Sequence, residues 1–204
     1  MDARSDLYIS VDVETDGPIP GPFSLLSFGM SVAGTFDGHT FRPADPEELT
    51  FYAELRPISD NWQAEALAVN GLDRARLVKA GRDPRETMDD AAAWVRRVAG
   101  TSRPVLVAYP VAFDWAFLYW YFVRYATGGS PFGYSSCLDI RTLYQARAHT
   151  VHDRSGKAYM PPMLVPDRPH THNALDDAVE QAELFSNVFA WTLGGPVASR
   201  LPFS

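Results

Sequence analysis

The chain has 204 residues, 46% of them apolar and 13% aromatic, and its formal net charge is −7. This length and composition suit one hydrophobic core, so we expect a single domain over residues 1–204. The N-terminal residues MDARSD are polar and lack an apolar signal core, and the longest apolar runs, near residues 104–113 and 115–123, fall well short of a membrane span. The single cysteine, Cys137, excludes an internal disulfide and fits a reducing compartment. We therefore expect a cytoplasmic protein with no membrane partner.

The predicted elements begin with strands and continue with helices that alternate with strands. Three strands come first with no helix between them, which indicates an antiparallel meander. The predicted strands lie at residues 7–14, 24–36, 49–58, 104–108 and 135–140. The predicted helices lie at 62–67, 73–79, 84–98, 110–127 and 173–191. A further helix follows the fifth strand and ends at residue 148. This order predicts an α/β fold with a mixed five-stranded sheet, three antiparallel strands and then parallel ones, flanked by helices.

Two carboxylates lie one residue apart where the first strand ends, in the sequence VDVETDG at residues 11–17. Residues i and i+2 of a strand point to the same face, so we expect Asp12 and Glu14 to project together. Their repulsion is costly unless a cation compensates it, and hard oxygen ligands suit Mg²⁺ or Mn²⁺. Taken alone, the pattern favours a strand that runs into an acidic turn.

Further acids lie at the starts of two predicted helices. Asp114 lies in the first turn of an aromatic helix just after a buried strand, and Asp177 lies in the first turn of the last helix. The positive end of a helix favours a carboxylate there, so each acid alone is explained by helix-start chemistry. Just before the last helix, Asn173 is a plausible N-cap with Asp176 completing a capping arrangement. His172 precedes them, and a solvated loop histidine is its simplest explanation.

Three motifs occur together in the chain: D-x-E-T-x-G near the N-terminus, F-D in the middle, and H-N-A-L-D-D-A near the C-terminus. Each motif is weak alone, but their order and internal spacing resemble the three motifs of the DEDDh-type 3′–5′ exonucleases. This family includes ribonuclease T, oligoribonucleases and proofreading exonuclease subunits. The sequence ALAVNGL at residues 66–72 also resembles a segment that these enzymes carry between the first two motifs. The resemblance therefore covers most of the chain.

The resemblance implies a ribonuclease-H-like fold and a metal-dependent exonuclease that releases 5′-mononucleotides from the 3′ ends of single-stranded or overhanging RNA or DNA. Two divalent metal ions, Mg²⁺ or Mn²⁺, clamp the attacking and leaving oxygens in such a mechanism. Their implied ligands are Asp12, Glu14, Asp114 and Asp177. His172 is the implied general base, a task that the near-neutral pKa of histidine suits. The net negative charge argues against a nucleic-acid partner, but this objection weakens if these acids hold metal ions.

Several substrate contacts also follow from the resemblance. Thr15 and Gly17 are expected near the terminal nucleotide, and Phe113 beside it in the aromatic helix. The other aromatic residues of that helix are open to three interpretations, namely base stacking, core packing and a homodimer face. The resemblance also implies an apolar residue that wedges near the terminal nucleotide, and Ile19, Phe23 and Leu25 are the candidates. Core packing is the simpler role for Leu25.

Residues 149–171 are rich in Pro, His and charged residues and predict a substrate loop. Five basic residues in and before it either contact the substrate backbone or are scattered solvated charges. They are Arg141, Arg147, Arg154, Lys157 and Arg168. Asp139 is either an extra acid, as in several relatives, or an N-cap.

The chain departs from the family at the middle motif. Many relatives read H-N-A-x-F-D there, whereas this chain carries Tyr109 and Pro110 in place of the His and Asn. The Asn contact to substrate is therefore not inherited. Two alternatives remain, a noncatalytic nucleic-acid-binding protein on the same fold and a polymerase-associated proofreading subunit. The first is expected to have lost a ligand, and the second carries a Leu-rich helical pattern that this chain lacks before His172.

Overall fold

One mixed sheet of six strands forms the centre of the computed structural model, which describes residues 5–169 and 171–191. The strands are β1 (Asp6–Thr15), β2 (Leu25–Phe36), β3 (Phe41–Pro43), β4 (Thr50–Glu54), β5 (Arg103–Ala108) and β6 (Cys137–Asp139). β1 pairs antiparallel with β2 and parallel with β5, and β5 pairs parallel with β6. The predicted α/β fold with a mixed sheet is confirmed.

The sheet has six strands in the described residues rather than the five predicted. β3 and β4 both pair antiparallel with the long strand β2, at different points along it. β3 follows a turn at Asp37, whose carboxylate accepts the N–H groups of His39 and Thr40. A strand of three residues has too short a pattern to be recognised, because its stability comes from its partner rather than from its own sequence.

Six helices are present in the described residues: α1 (Ala64–Asn70), α2 (Arg74–Ala80), α3 (Pro84–Ala99), α4 (Val111–Tyr125), α5 (Ile140–Ala148) and α6 (Ala174–Ala190). The side chains of Asp73, Asp83, Asp139 and Asn173 cap α2, α3, α5 and α6. Residues 149–171 contain three short 3₁₀ turns, at His152–Arg154, Lys157–Tyr159 and Pro162–Leu164. No helix in the part of the chain that the structure describes is long and apolar enough to cross a membrane.

Two hydrophobic clusters cover the two faces of the sheet. Successive residues of a strand point to opposite faces, so Ile9 belongs to the cluster formed with α3 and α4, whereas Tyr8 belongs to the one formed with α5 and α6. Leu25 is fully buried in the first cluster, which confirms its simpler role. Asp12 and Glu14 have the same parity as Tyr8 and therefore face α6.

Gly29 allows α6 to begin very close to the sheet. It lies opposite Asp12 in the antiparallel register of β1 and β2. A Cβ on Gly29 would lie 2.2 Å from the carbonyl oxygen of Ala174, the first residue of α6. Real side chains do not tolerate such a contact with backbone, so the absence of a side chain here brings the start of α6 up to the end of β1.

Candidate active site

The first two acids lie at the end of β1, on the face that α6 covers. Asp12 and Glu14 are each partly buried, and they alternate with Val11, Val13 and Thr15, which are buried. This is the arrangement that the D-x-E spacing predicts. The two carboxylates therefore face one region between the sheet and the start of α6.

Asp114 reaches the same place from the other side of the sheet. α4 begins three residues after β5 ends, and Asp114 lies in its first turn. The carboxylate of Asp139 accepts the N–H of Val111 at 2.8 Å and so fixes the start of α4. Asp114 is 5% exposed, and its Oδ1 accepts the backbone N–H of Val13 at 3.1 Å. The N–H between the two acids of β1 therefore holds the third acid beside them.

The start of α6 supplies the fourth acid and the histidine. Asn173 caps the helix by accepting the N–H groups of Leu175 and Asp176, which confirms it as the N-cap. Asp177 is fully buried, and its Oδ1 accepts the N–H of Thr171 at 3.0 Å. His172 is exposed and has a positive φ of 55°. The chain therefore bends sharply at His172, between Thr171 and the start of α6.

The carboxylates of Glu14 and Asp177 and a ring nitrogen of His172 lie within 4.8 Å of one another, close enough to hold a metal ion together. Asp176 points elsewhere and accepts the hydroxyl of Thr171 at 3.2 Å. The structure thus brings the predicted acids and histidine together. Their roles in catalysis stay predictions.

The acids strongly disfavour one another's charge. Burial raises the pKa of Asp12 well above its usual range, and the charges of Asp114, Glu14 and Asp177 raise it further. Burial and then the charge of Asp177 raise the pKa of Glu14 to about 7, against a hydrogen bond from Asn70. Burial raises the pKa of Asp114 to about 8. Such a cluster of hard oxygen donors, held together against its own repulsion, fits divalent cations.

Comparison with solved structures supports a nuclease fold for this arrangement, although no family model matches the sequence. The nuclease domain of 3′hExo, a DEDDh family member solved bound to rAMP, superposes with a TM-score of 0.62 at 14% identity, covering 91% of this chain and 92% of that one. The 3′–5′ DNA exonuclease Cap18 of Escherichia coli is 35% identical over 186 residues, which cover 91% of this chain and 92% of that protein. The chain belongs to the DEDDh-type 3′–5′ exonucleases.

Ribonuclease T of Shewanella baltica, 30% identical over 194 residues covering 92% of this chain and 84% of that protein, is a further relative. The predicted ribonuclease-H-like fold and the predicted enzyme class, a 3′–5′ exonuclease, are therefore confirmed. DEDDh exonucleases use divalent metal ions, and the cluster of Glu14, His172 and Asp177 is a candidate site for one.

Two polar residues beside the candidate site are not among the predicted ones. Asn70, the last residue of α1, donates its amide to the carbonyl of Thr15 at 3.0 Å and so ties α1 to the end of β1. Its segment was noticed only through the family resemblance. Gln181 donates to Asp12 Oδ1 at 2.7 Å. Its spacing of four residues from Asp177 puts both on one face of α6, which is the one signal in the sequence that points to it.

The three predicted substrate contacts differ in what they offer. Thr15 is buried and its hydroxyl donates to the carbonyl of Gly17 at 2.9 Å, so its side chain shapes the turn after β1. A Cβ on Gly17 would lie 2.1 Å from the ring of Phe23, which gives this glycine a packing reason. Phe113 is 40% exposed and lies next to Asp114. Of the three, Phe113 alone presents a large surface to solvent.

Four of the five basic residues near the predicted substrate loop contact the protein itself. The pairs are Arg141 with Ser155, Arg147 with Trp191, Lys157 with Glu180, and Arg168 with both Glu47 and Glu183. Arg154 is exposed and forms no ion pair with any residue that the structure describes. Most of these basic residues therefore anchor residues 149–171 to the rest of the protein. The sequence alone did not predict this role. Asp139 likewise accepts the N–H of Thr142 and caps α5, in line with the simpler of its two interpretations.

Proposed function

We propose that the chain hydrolyses phosphodiester bonds at the 3′ end of single-stranded or overhanging nucleic acid and releases 5′-mononucleotides, using two divalent metal ions and a histidine general base. The observation that carries this proposal is the convergence of the acids. The four carboxylates come from β1, α4 and α6. The charges of the other three acids raise the pKa of Asp12, and His172 lies within ligand distance of Glu14 and Asp177. We further propose that one domain carries out the whole reaction and that the protein is cytoplasmic.

Asp12, Glu14, Asp114 and Asp177 would hold the metal ions, Mg²⁺ or Mn²⁺. When bound, such ions supply an activated water and charge stabilisation for the leaving 3′-oxygen. The acids contribute rigidity, because Asp114 is fixed by the N–H of Val13 and Asp177 by the N–H of Thr171. A site held in this way costs little reorganisation when phosphate arrives.

His172 would take the proton of the attacking water. Its side chain is exposed at the edge of the acids, whereas Asp177 is buried on the first turn of α6. An exposed imidazole can pass the proton on to solvent, and general-base catalysis is typically worth on the order of 10²–10⁴ in rate.

The substrate would be a nucleic-acid 3′ end whose last base lies against Phe113, with Thr15 and Gly17 beside its sugar. One relative is named a DNA exonuclease and another ribonuclease T. Matched RNA and DNA oligonucleotides, single-stranded and with 3′ overhangs, therefore belong in the first assay. Release of labelled mononucleotides in Mg²⁺ or Mn²⁺, and none in EDTA, is the expected result. Binding without release would favour the noncatalytic alternative, and co-purification with a polymerase would favour a proofreading subunit.

Asp176 and Asp177 provide a matched pair of variants for this assay. Asp177→Ala should abolish nucleotide release, whereas Asp176→Ala, which alters an exposed neighbour, should retain it. His172→Ala should lower turnover by about 10²-fold or more and leave metal binding largely intact. Near-normal nucleotide release by Asp177→Ala would refute the assignment of Asp177 as a metal ligand. Loss of metal binding in His172→Ala would show that His172 is a metal ligand rather than a general base.

We also propose a homodimer that forms through α4. Apolar side chains run along one side of this helix at helical spacing and are exposed or partly exposed: Ala112, Trp115, Ala116, Tyr119 and Val123. The rings of Trp115 and Tyr119 stack 4.6 Å apart. Such a surface favours association with a partner. Analytical ultracentrifugation should give a dimer that Val123→Glu converts to a monomer, and a monomeric wild type contradicts the proposal.

A further inference from the structure

Gln181 connects Asp12 to the chain segment that leads into α4. It is 3% exposed on α6, one turn after Asp177. Its Nε2 donates to Asp12 Oδ1 at 2.7 Å, and its Oε1 accepts the N–H of Tyr109 at 2.8 Å. Because a backbone N–H can only donate, the amide oxygen must face Tyr109, and the amide nitrogen is thereby directed to Asp12.

This single side chain contacts each of the three segments that carry the acids. Gln181 itself belongs to the helix of Asp177, it holds Asp12 on β1, and Tyr109 lies two residues before the start of α4 and its Asp114. The N–H of Val13, by contrast, connects only β1 with Asp114. Gln181 is therefore placed to set the position of the three segments relative to one another.

The contact also determines how Asp12 presents its oxygens. An aspartate side chain has two rotatable bonds, so its carboxylate rotates freely unless a hydrogen-bond donor holds it. The amide of Gln181 is such a donor, because it binds Oδ1 of Asp12. Outer partners of this kind orient metal ligands, and their loss typically lowers metal affinity or activity by 10–100-fold. A neutral amide does so without a further negative charge among four carboxylates.

We propose that Gln181 is a positioning residue that fixes the Asp12 carboxylate for metal binding. This inference rests on the proposed function of the acids. Gln181→Met has nearly the same shape but cannot donate to Asp12 or accept from Tyr109. Gln181→Glu keeps the acceptor for Tyr109 and removes the donor to Asp12, so it separates the two contacts and serves if the Met variant does not fold.

Asn187→Leu is the matched control, because Asn187 also lies on α6 and its amide donates to a backbone carbonyl, that of Leu164, at 3.1 Å. The Mn²⁺ affinity of the metal-free full chain is measured by calorimetry without nucleic acid, together with the melting temperature. Gln181→Met and Gln181→Glu should each bind Mn²⁺ about 10-fold more weakly. Asn187→Leu should bind it as the wild type does.

The outcomes separate this inference from the proposed function. If the wild type binds Mn²⁺ and a folded Gln181 variant binds it equally well or more tightly, Gln181 does not position Asp12. If a variant loses melting temperature but no Mn²⁺ affinity, the role of Gln181 is structural and the proposal is likewise overturned. A wild type that binds no Mn²⁺ refutes the proposed metal site itself, and the inference with it.

Discussion

Removal of metal ions should make the stability of this exonuclease fall as pH rises from about 5 to about 8. Burial and mutual repulsion raise the pKa of Asp12 well above its usual range, that of Glu14 to about 7 and that of Asp114 to about 8. In this range the unfolded chain has already released protons that the folded cluster still holds. Rising pH therefore favours unfolding, and the stability present at about pH 4 is lost through the folded pKa values.

The size of the effect follows from Asp114, the most deeply buried of the three acids whose pKa is raised. For Asp114 a rise from 3.8 to about 8 corresponds to on the order of 5 kcal/mol. Glu14 is partly exposed, so water screens its share. A loss on the order of 5 kcal/mol lowers the melting temperature of a chain of this size by roughly 10 °C or more.

Scanning calorimetry in EDTA at several pH values tests this directly. Asp114→Asn, which cannot ionise, should flatten the dependence, and Mg²⁺ should restore stability most strongly at the alkaline end. Asp37 and Asp89 do not interfere, because their pKa values are lowered and they titrate below this range. A melting temperature in EDTA that is constant or rises from about pH 5 to about pH 8 would show that the acids are not held together in the metal-free fold.

Two further predictions concern how the site is supported. Asp139→Ala removes the partner of the N–H groups of Val111 and Thr142, so chemical denaturation should show a loss of about 1–3 kcal/mol while Mn²⁺ affinity stays within a few-fold; a large loss of affinity would make Asp139 a ligand. Gly29→Ala should displace the start of α6 and lower nucleotide release by about 10²-fold. In Gly156→Ala the added methyl meets only the hydroxyl of Tyr109 at 3.9 Å, so release should be unchanged, and equal behaviour of the two variants would refute the close-approach argument.

The sequence was sufficient for the parts of the fold in which local pattern and tertiary context agree. The elements β1, β2, α3 and α6 have long patterns, the two helices also have side-chain N-caps, and each element lies within a few residues of its prediction. β3 has only three residues, and its pairing with residues 34–36 of β2 is a property of the assembled sheet. Residues 149–171 lie between α5 and α6, as predicted, and their role as a substrate loop stays a prediction. Their ion pairs leave no local signal, since Arg168 contacts Glu47 at a separation of 121 residues.

The candidate site likewise divides into residues that local pattern predicts and residues that only the folded chain reveals. The D-x-E spacing places Asp12 and Glu14 on one face by strand geometry alone, whereas Asp114 and Asp177 became candidates through the family resemblance. The contact between Gln181 and Asp12 spans 169 residues, and the four-residue spacing of Gln181 from Asp177 does not reveal which residue it contacts. Gly29 gave no signal either, because a glycine in a strand does not reveal which backbone approaches it.

In the proposed metal site, folding and metal binding are coupled, because the fold buries the carboxylates and holds them together against their mutual repulsion. The missing side chain of Gly29, the N–H of Val13 and the amide of Gln181 bring carboxylates from three segments to one place. Their repulsion is a cost that the rest of the fold must cover, and divalent cations remove it. Weakening any one of these contacts should therefore lower metal affinity before it unfolds the chain, since the metal-free acids gain by moving apart. On this proposal, a buried polar residue with no ligand role of its own, such as Gln181, contributes to metal affinity through the acid that it holds.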